Sequence, residues 1–161
     1  MDGLPWHPAI VHLPLSLAVL IPLLGGTLWW VARKDDQLAG WVFRLPLGAQ
    51  IMALVTAIIS QRTGDADHSR VKEVVDIAII HAHEEAGEMF TIACGVVLAI
   101  WFASAAAREA KVARTAALIA IVAGLVAGGL GLRAGHLGGE LVYTHGAAEA
   151  WRSGGEIDPG R

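Results

Sequence analysis

The stretch TAALIAIVAGLVAGGLGL, residues 115–132, decides the fold class of this 161-residue chain. It contains no charged side chain, and the apolar pattern around it extends over residues 113–136. A helix needs about 20 apolar residues to cross a bilayer core about 30 Å thick. The stretch therefore predicts a membrane-spanning helix in the C-terminal half of the chain.

Three further apolar segments, at residues 9–32, 41–61 and 77–106, meet the same length requirement. The polar stretches between them are short, so consecutive helices should be antiparallel neighbours. The hydrophobic content of 55% also exceeds what a soluble domain of this size needs. The sequence predicts an all-α protein, a four-helix transmembrane bundle of up-down topology, with residues 1–161 forming one domain. The pair Gly138–Gly139 is expected to end the helical pattern, leaving residues 137–161 as a polar tail.

Charge and cysteine content exclude several classes of protein. The formal net charge of −3 leaves no basic surface of the kind that neutralises nucleic acid. The single cysteine, Cys94, cannot form an internal disulfide. No activated nucleophile, phosphate-binding loop or nucleotide fingerprint is visible, so the sequence assigns no enzymatic reaction.

The distribution of basic residues predicts the orientation in the membrane. Six lie close to the membrane ends in the two loops after the first and third segments: Arg33, Lys34, Arg44, Arg108, Lys111 and Arg114. The opposite side carries six as well, but they are more widely spread. Short loops rich in Lys and Arg are typical of the cytoplasmic side. Both termini are therefore expected on the outer side, with Trp29, Trp30, Trp41 and Trp101 marking the inner interface.

All seven histidines lie at or beyond the other face of the predicted bundle: His7, His12, His68, His81, His83, His136 and His145. Steps of about 1.5 Å per residue from the inner interface place His12, His81, His83 and His136 at one depth. A single histidine there would more often be an interfacial side chain with a hydrogen bond. Ionisable groups at membrane depth are costly, however, and four from three helices indicate a site inside the bundle.

The third segment presents two different polar faces. On one, His81, Glu84, Glu85 and Glu88 follow helical spacing, and they could form a hydrated rim, a proton relay or part of a metal site. His83 projects about 160° away from His81 at 3.6 residues per turn. Because Gly87 lies one turn further on and leaves room for a bulky ligand, we expect His83 to point inward.

A b-type haem is the leading candidate for that ligand, which would make the protein an electron carrier. Such a haem needs a histidine from each of two facing helices, small residues beside the porphyrin and cations near its propionates. The candidates for these roles are His12, His83 and His136 as axial ligands, Gly87 and Gly135 as small residues, and Arg62 and Arg133 as cations.

Two alternatives remain open at the level of sequence. The first is a directly bound Zn, Cu or Fe ion, which needs three or four nitrogen or oxygen ligands. The candidate ligands are His7, His12, His81, His83, His136, His145, Glu84 and Glu140. The second is a membrane module without a cofactor, whose polar rim binds a partner protein.

A stripe of glycines follows one face of the fourth segment, at Gly124, Gly128, Gly131 and Gly135. Small residues at this spacing allow a neighbouring backbone to approach closely. The stripe therefore predicts close helix packing, with a flat cofactor as the alternative.

Two motifs at the ends of the chain resemble those of a known family. Residues 7–15, HPAIVHLPL, and residues 135–146, GHLGGELVYTHG, resemble the ends of a bacterial four-helix membrane family catalogued as domain of unknown function 2231. Thr63, Gly64 and a histidine at position 81 or 83 match it in register. The resemblance implies a multi-pass protein of the bacterial inner membrane and a cytochrome-type redox partner, without an established activity.

Overall fold

The computed structural model describes residues 5–151, and these residues form helices connected by short loops. A short helix, α1 (His7–Ile10), leads directly into α2 (His12–Ala32). Three longer helices follow, α3 (Arg44–Val71), α4 (Ile77–Ala106) and α5 (Ala110–Tyr143), and a 3₁₀ turn over Ala147–Trp151 ends the described part. The predicted all-α fold is confirmed.

The four long helices form an antiparallel bundle in which α5 packs against both α4 and α2, and α3 packs against both α4 and α2. Within residues 5–151, three stretches are long and apolar enough to cross a membrane by length and composition: His7–Ala32, Ile77–Ala106 and Ala110–Tyr143. The remaining helix, α3, has no charged residue from 45 to 61 and becomes polar beyond that point. The molecule is thus the four-helix transmembrane bundle that the sequence predicts.

The outer surface of the bundle is apolar, as a bilayer requires. Large side chains such as Leu23, Ile92, Leu125 and Leu132 are more than 60% exposed. An apolar surface of this extent would drive a water-soluble protein to associate. In a bilayer the same side chains contact acyl chains, while the backbone hydrogen bonds are satisfied within each helix.

Two helices extend beyond the segments that the sequence predicts. Helix α3 continues ten residues past position 61 to Val71, and α5 continues through Gly138 and Gly139 to Tyr143. Leu141 explains the second extension, because it is buried against Val75 and Ile80 in a small apolar cluster. The prediction that the two glycines end the helical pattern is therefore wrong, since tertiary packing outweighs their low helix propensity.

The glycine stripe of α5 packs against α2 and α4. A Cβ atom on Gly124 would lie 3.1 Å from Pro22, and one on Gly131 would lie 2.9 Å from Leu15 and 3.0 Å from Phe90. Gly128 faces the carbonyl of Ala18, which lies 3.5 Å from an ideal Cβ and has lost its helical donor to Pro22. The stripe serves helix packing.

Candidate functional site

Two histidines lie side by side at the end of the bundle where the chain begins. The ring centres of His7 and His83 are 5.9 Å apart, and the ring planes are inclined by 82°. His7 belongs to α1 and contacts α3, whereas His83 belongs to α4 and contacts α5. We call His7 and His83 the inner pair, because both are partly buried between these helices.

The hydrogen bonds of the inner pair define where each ring carries its proton. His7 Nδ1 lies 2.8 Å from the carbonyl oxygen of Ser60, and His83 Nδ1 lies 3.0 Å from that of Ala134. A carbonyl oxygen can only accept, so each Nδ1 must donate. In the neutral rings Nε2 therefore holds a free lone pair, which is the arrangement of a metal-ligating histidine oriented by a backbone carbonyl.

Glycines allow the helix backbones to lie against both rings. An ideal Cβ on Gly64 would be 3.2 Å from two atoms of the His7 ring, and one on Gly138 would be 2.9 Å from Cε1 of His83. Gly87, one turn after His83, faces open space within 4 Å. The inner pair is thus held closely by helix backbone on two sides.

Asp67 lies on α3 beside the inner pair. Burial raises the pKa of its carboxyl above the ordinary value of 3.8, and the charges of His7 and Arg70 partly oppose this shift. The carboxyl therefore holds its proton more tightly in the folded state than in the unfolded chain. Asp67 is thus a third titratable group at this place, in addition to His7 and His83.

The raised pKa of Asp67 predicts a pH-dependent effect of Asp67→Asn. A carboxyl with a raised folded pKa favours folding below its unfolded pKa and loses that contribution as the pH rises through the folded value. The unfolding temperature of Asp67→Asn, relative to the parent, should therefore increase as the pH rises through this window. A pH series in detergent measures it, with exposed Asp65→Asn as the control; a difference that does not vary with pH would contradict the assignment.

A second cluster lies on the other face of α4. His68 Nδ1 donates to Glu84 Oε1 at 2.6 Å, and the His68 ring stacks on His81 with centres 6.1 Å apart. Beside it, α3 and α4 enclose an open cleft of about 560 Å³. The cleft is lined by Ile58, Gln61, Arg62, Asp65, His81, Glu84, Glu85, Glu88, Thr91 and Ile92. The face predicted from helical spacing thus lines an open, mainly acidic cleft.

Several histidines that the sequence proposed as ligands do not lie beside the inner pair. His12, His136 and His145 are exposed, and His136 Nε2 lies 3.4 Å from Glu140 Oε1 within one turn of α5. Of the predicted axial ligands, only His83 is placed inside the bundle, and its neighbour is His7.

The remaining candidates lie at the same end of the molecule. Arg62 and Arg133 are exposed, and Arg62 borders the cleft. Gly135 faces Leu15, whose Cδ1 would lie 3.5 Å from an ideal Cβ, so this glycine serves the contact with α2. Within residues 5–151, no group of three or more His, Cys, Asp or Glu side chains is arranged to hold a metal ion.

Sequence reasoning did not anticipate the roles of Gly64, Asp67 and His68. A helical signal for them exists, because Ala53, Ala57 and Ser60 form the buried stripe of α3 and the next positions at that spacing are 64, 67 and 68. The loss of hydropathy after residue 61 concealed the continuation of the helix.

Comparison with known proteins identifies the family. A family model described as "Predicted membrane protein (DUF2231)" matches residues 3–150. Neither the curated proteins nor the solved structures contain a match to this chain. The match covers nearly the whole bundle, including the histidine-containing motifs near both ends of the sequence. The chain therefore belongs to the DUF2231 family of predicted membrane proteins.

Proposed function

We propose that this protein is a membrane electron carrier whose inner pair, His7 and His83, ligates the iron of one b-type haem. The observation that carries the proposal is the geometry of the pair. With metal–nitrogen bonds of about 2 Å, two imidazoles that hold one haem iron have ring centres slightly more than about 6 Å apart. The observed 5.9 Å is slightly shorter than this separation, so a small outward movement of the rings would admit the iron. Both Nε2 lone pairs are free of the carbonyl hydrogen bonds, which Nδ1 makes in each ring.

The number of ligands favours haem over a bare ion. A porphyrin supplies four nitrogens, so two imidazoles complete the coordination of its iron. A bare Zn or Cu ion needs three or four protein ligands, and residues 5–151 offer no such group. A haem therefore needs fewer protein ligands than a bare ion.

Nearby residues fit the other needs of a haem. An ideal Cβ on Gly87, one turn from His83, would meet nothing within 4 Å, so no neighbouring side chain fills this position. Arg62 and Arg133 lie near this end of the bundle, where cations can attract propionates. When bound, the haem would supply a ferric–ferrous couple; the chain would hold the iron and exclude lipid from it.

The location in the cell belongs to the same proposal. The resemblance to a bacterial family supports residence in the inner membrane, and the basic loops at the opposite end support termini on the outer side. A soluble cytochrome-type domain on that outer side would then exchange electrons with the haem.

Absorption spectroscopy tests the proposal. The full chain is produced in haem-replete cells and purified in detergent, and its reduced-minus-oxidised spectrum, haem content and metal content are measured. We expect a b-type spectrum with about one haem per chain. Stoichiometric Zn, Cu or Fe without porphyrin would replace the proposal with the bare-ion alternative, and a colourless, metal-free protein would favour the cofactor-free module. The 5.9 Å separation is also normal for an edge-to-face ring pair, and that last outcome would identify it as one.

Neighbouring glycines allow a matched test of the site. A methyl group on Gly138 would lie 2.9 Å from His83 Cε1, whereas one on Gly139 meets nothing within 4 Å. Gly138→Ala should therefore displace the His83 ring and lower haem affinity about 10- to 100-fold, as loss of a supporting contact does at other metal sites. Gly139→Ala has the same helix-propensity change and should retain haem. Haem titration of both variants measures the effect, and equal affinities would argue against His83 as a ligand.

A further inference from the structure

The end of the bundle opposite the histidines carries a concentration of positive charge. Residues 33–44 and 107–114 form this end, which we call the basic end. It contains six basic residues and three acidic ones. The described residues at the histidine end, by contrast, include four basic and nine acidic residues. The two ends of the molecule therefore have opposite net charge.

Cations at the basic end are held against tryptophan rings. The guanidinium of Arg33 lies 5.0 Å from the centre of Trp29 and 5.2 Å from that of Trp30. Lys34 Nζ lies 5.6 Å from the centre of Trp30. Tryptophan prefers the headgroup level of a bilayer. Cations held against rings at that level would lie beside the lipid phosphates.

Hydrogen bonds between helices fix the position of this surface. Arg114 of α5 donates to the carbonyl of Ala32 at the end of α2 and forms an ion pair with Asp36. The indole of Trp29 donates to the carbonyl of Arg114 at 3.0 Å. Asp36 is thus already paired with a cation. The remaining basic residues, Arg33, Lys34, Arg44, Arg108 and Lys111, are exposed.

We propose that the basic end binds the headgroups of anionic phospholipids in the adjoining leaflet. Three features determine the ligand class: exposed cations in excess over carboxylates, indole rings at headgroup depth, and helix ends fixed to each other. Anionic lipids attract basic segments beside a membrane, whereas zwitterionic lipids lack the net charge to do so. The acidic histidine end repels the same lipids. This proposal does not depend on haem binding.

Lipid competition in nanodiscs tests the proposal. The full chain is incorporated into nanodiscs containing equal amounts of phosphatidylglycerol and phosphatidylcholine, and the lipids that remain bound are counted by native mass spectrometry. We expect enrichment of phosphatidylglycerol. The double variant Arg33→Gln/Lys34→Gln should lower the enrichment by about fivefold for each cation removed, the factor that corresponds to the attraction of one basic residue. The charge-conserving Arg33→Lys/Lys34→Arg should retain most of it.

A matched variant at the other end provides the control. Arg70 and Lys72 are both exposed at the histidine end, so Arg70→Gln/Lys72→Gln removes the same two charges there. This variant should leave phosphatidylglycerol enrichment unchanged. Equal loss in both double variants, or no enrichment in the parent protein, would overturn the proposal. Inorganic phosphate added at the lipid concentration should not compete, and full competition by it would identify a free-anion site instead.

Discussion

If the inner pair ligates the iron, replacing His83 with Ala should lower the haem content of the purified protein to background. Loss of a second-shell partner alone costs about 10- to 100-fold in metal affinity, so loss of a ligand should cost at least about 100-fold. His7→Ala should have a comparable effect, because each imidazole supplies one bond. The measurement is haem titration of apoprotein, followed by the visible absorption spectrum.

The fold should survive this change. The carbonyl of Ala134 lies within α5 and keeps a helical donor when the His83 side chain is removed. Exogenous imidazole should restore haem binding to His83→Ala, a result that a merely structural role of His83 would not give. His136→Ala serves as a control, because this side chain is 75% exposed and should be dispensable. If instead His12→Ala and His136→Ala abolish binding and His7→Ala does not, the sequence-based ligand set is right and the inner pair is not the haem site.

Replacing Gly25 with Val is expected to destabilise the bundle, and to do so more than Gly26→Val or Gly138→Ala. An ideal Cβ on Gly25 would lie 2.7 Å from Cη2 and 2.8 Å from Cζ2 of Trp101, and 3.1 Å from Ile121. Trp101 is 0% exposed and packs on Phe43, so the indole has no space into which to move. Overpacking of this kind typically costs about 1 to 3 kcal/mol, and a branched side chain should reach the upper end.

Gly26 provides the control for this prediction. It is the next residue in α2, and an ideal Cβ there meets nothing within 4 Å. Gly26→Val undergoes the same change in helix propensity and should cost only about 0.5 kcal/mol. The thermal unfolding of both variants in detergent, followed by circular dichroism, gives the comparison. Equal unfolding temperatures would show that Gly25 does not pack closely on Trp101.

The architecture was predictable because the bilayer imposes a simple rule on the sequence. Length and hydropathy alone reveal the helices that span it, and short loops make neighbouring helices antiparallel. The rule fails where the helices leave the membrane. Beyond residue 61 the hydropathy of α3 falls, and Gly138 lies in a glycine pair, yet both regions remain helical. Contacts that are distant in sequence, such as that of Leu141 with Val75, stabilise these ends.

The site was predictable as a region but not as a set of contacts. Spacing identified the histidine end, separated His81 from His83 and indicated that His83 points inward, which agrees with its partial burial. The predicted depth in the membrane could not show which histidine lies beside His83. His7 lies beyond the main cluster in sequence, but α1 places its ring against Ser60 and Gly64. Rotation about each helix axis depends on packing between helices, and this separates the exposed His12 and His136 from the inner pair.

The glycine stripe of α5 also shows that spacing alone does not reveal what a helix face contacts. Its spacing is equally compatible with a neighbouring helix and with a flat cofactor. The choice depends on the partner helix, where Pro22 and Leu15 lie opposite Gly124 and Gly131. The glycines that do contact histidine rings, Gly64 and Gly138, are outside the stripe. The periodic glycines of α5 therefore revealed a helix-packing surface. The glycines that border the candidate site, Gly64 and Gly138, follow no such pattern.

Electron paramagnetic resonance of the ferric protein tests the central claim most directly, because the signal reports the axial ligands of the iron. If His7 and His83 both bind one haem iron, the purified parent protein should give a low-spin signal typical of two imidazole ligands. The signal should become high-spin in His7→Ala at haem concentrations that still load the protein. A parent protein that gives a high-spin haem signal, or no haem signal after loading, would contradict ligation by the inner pair.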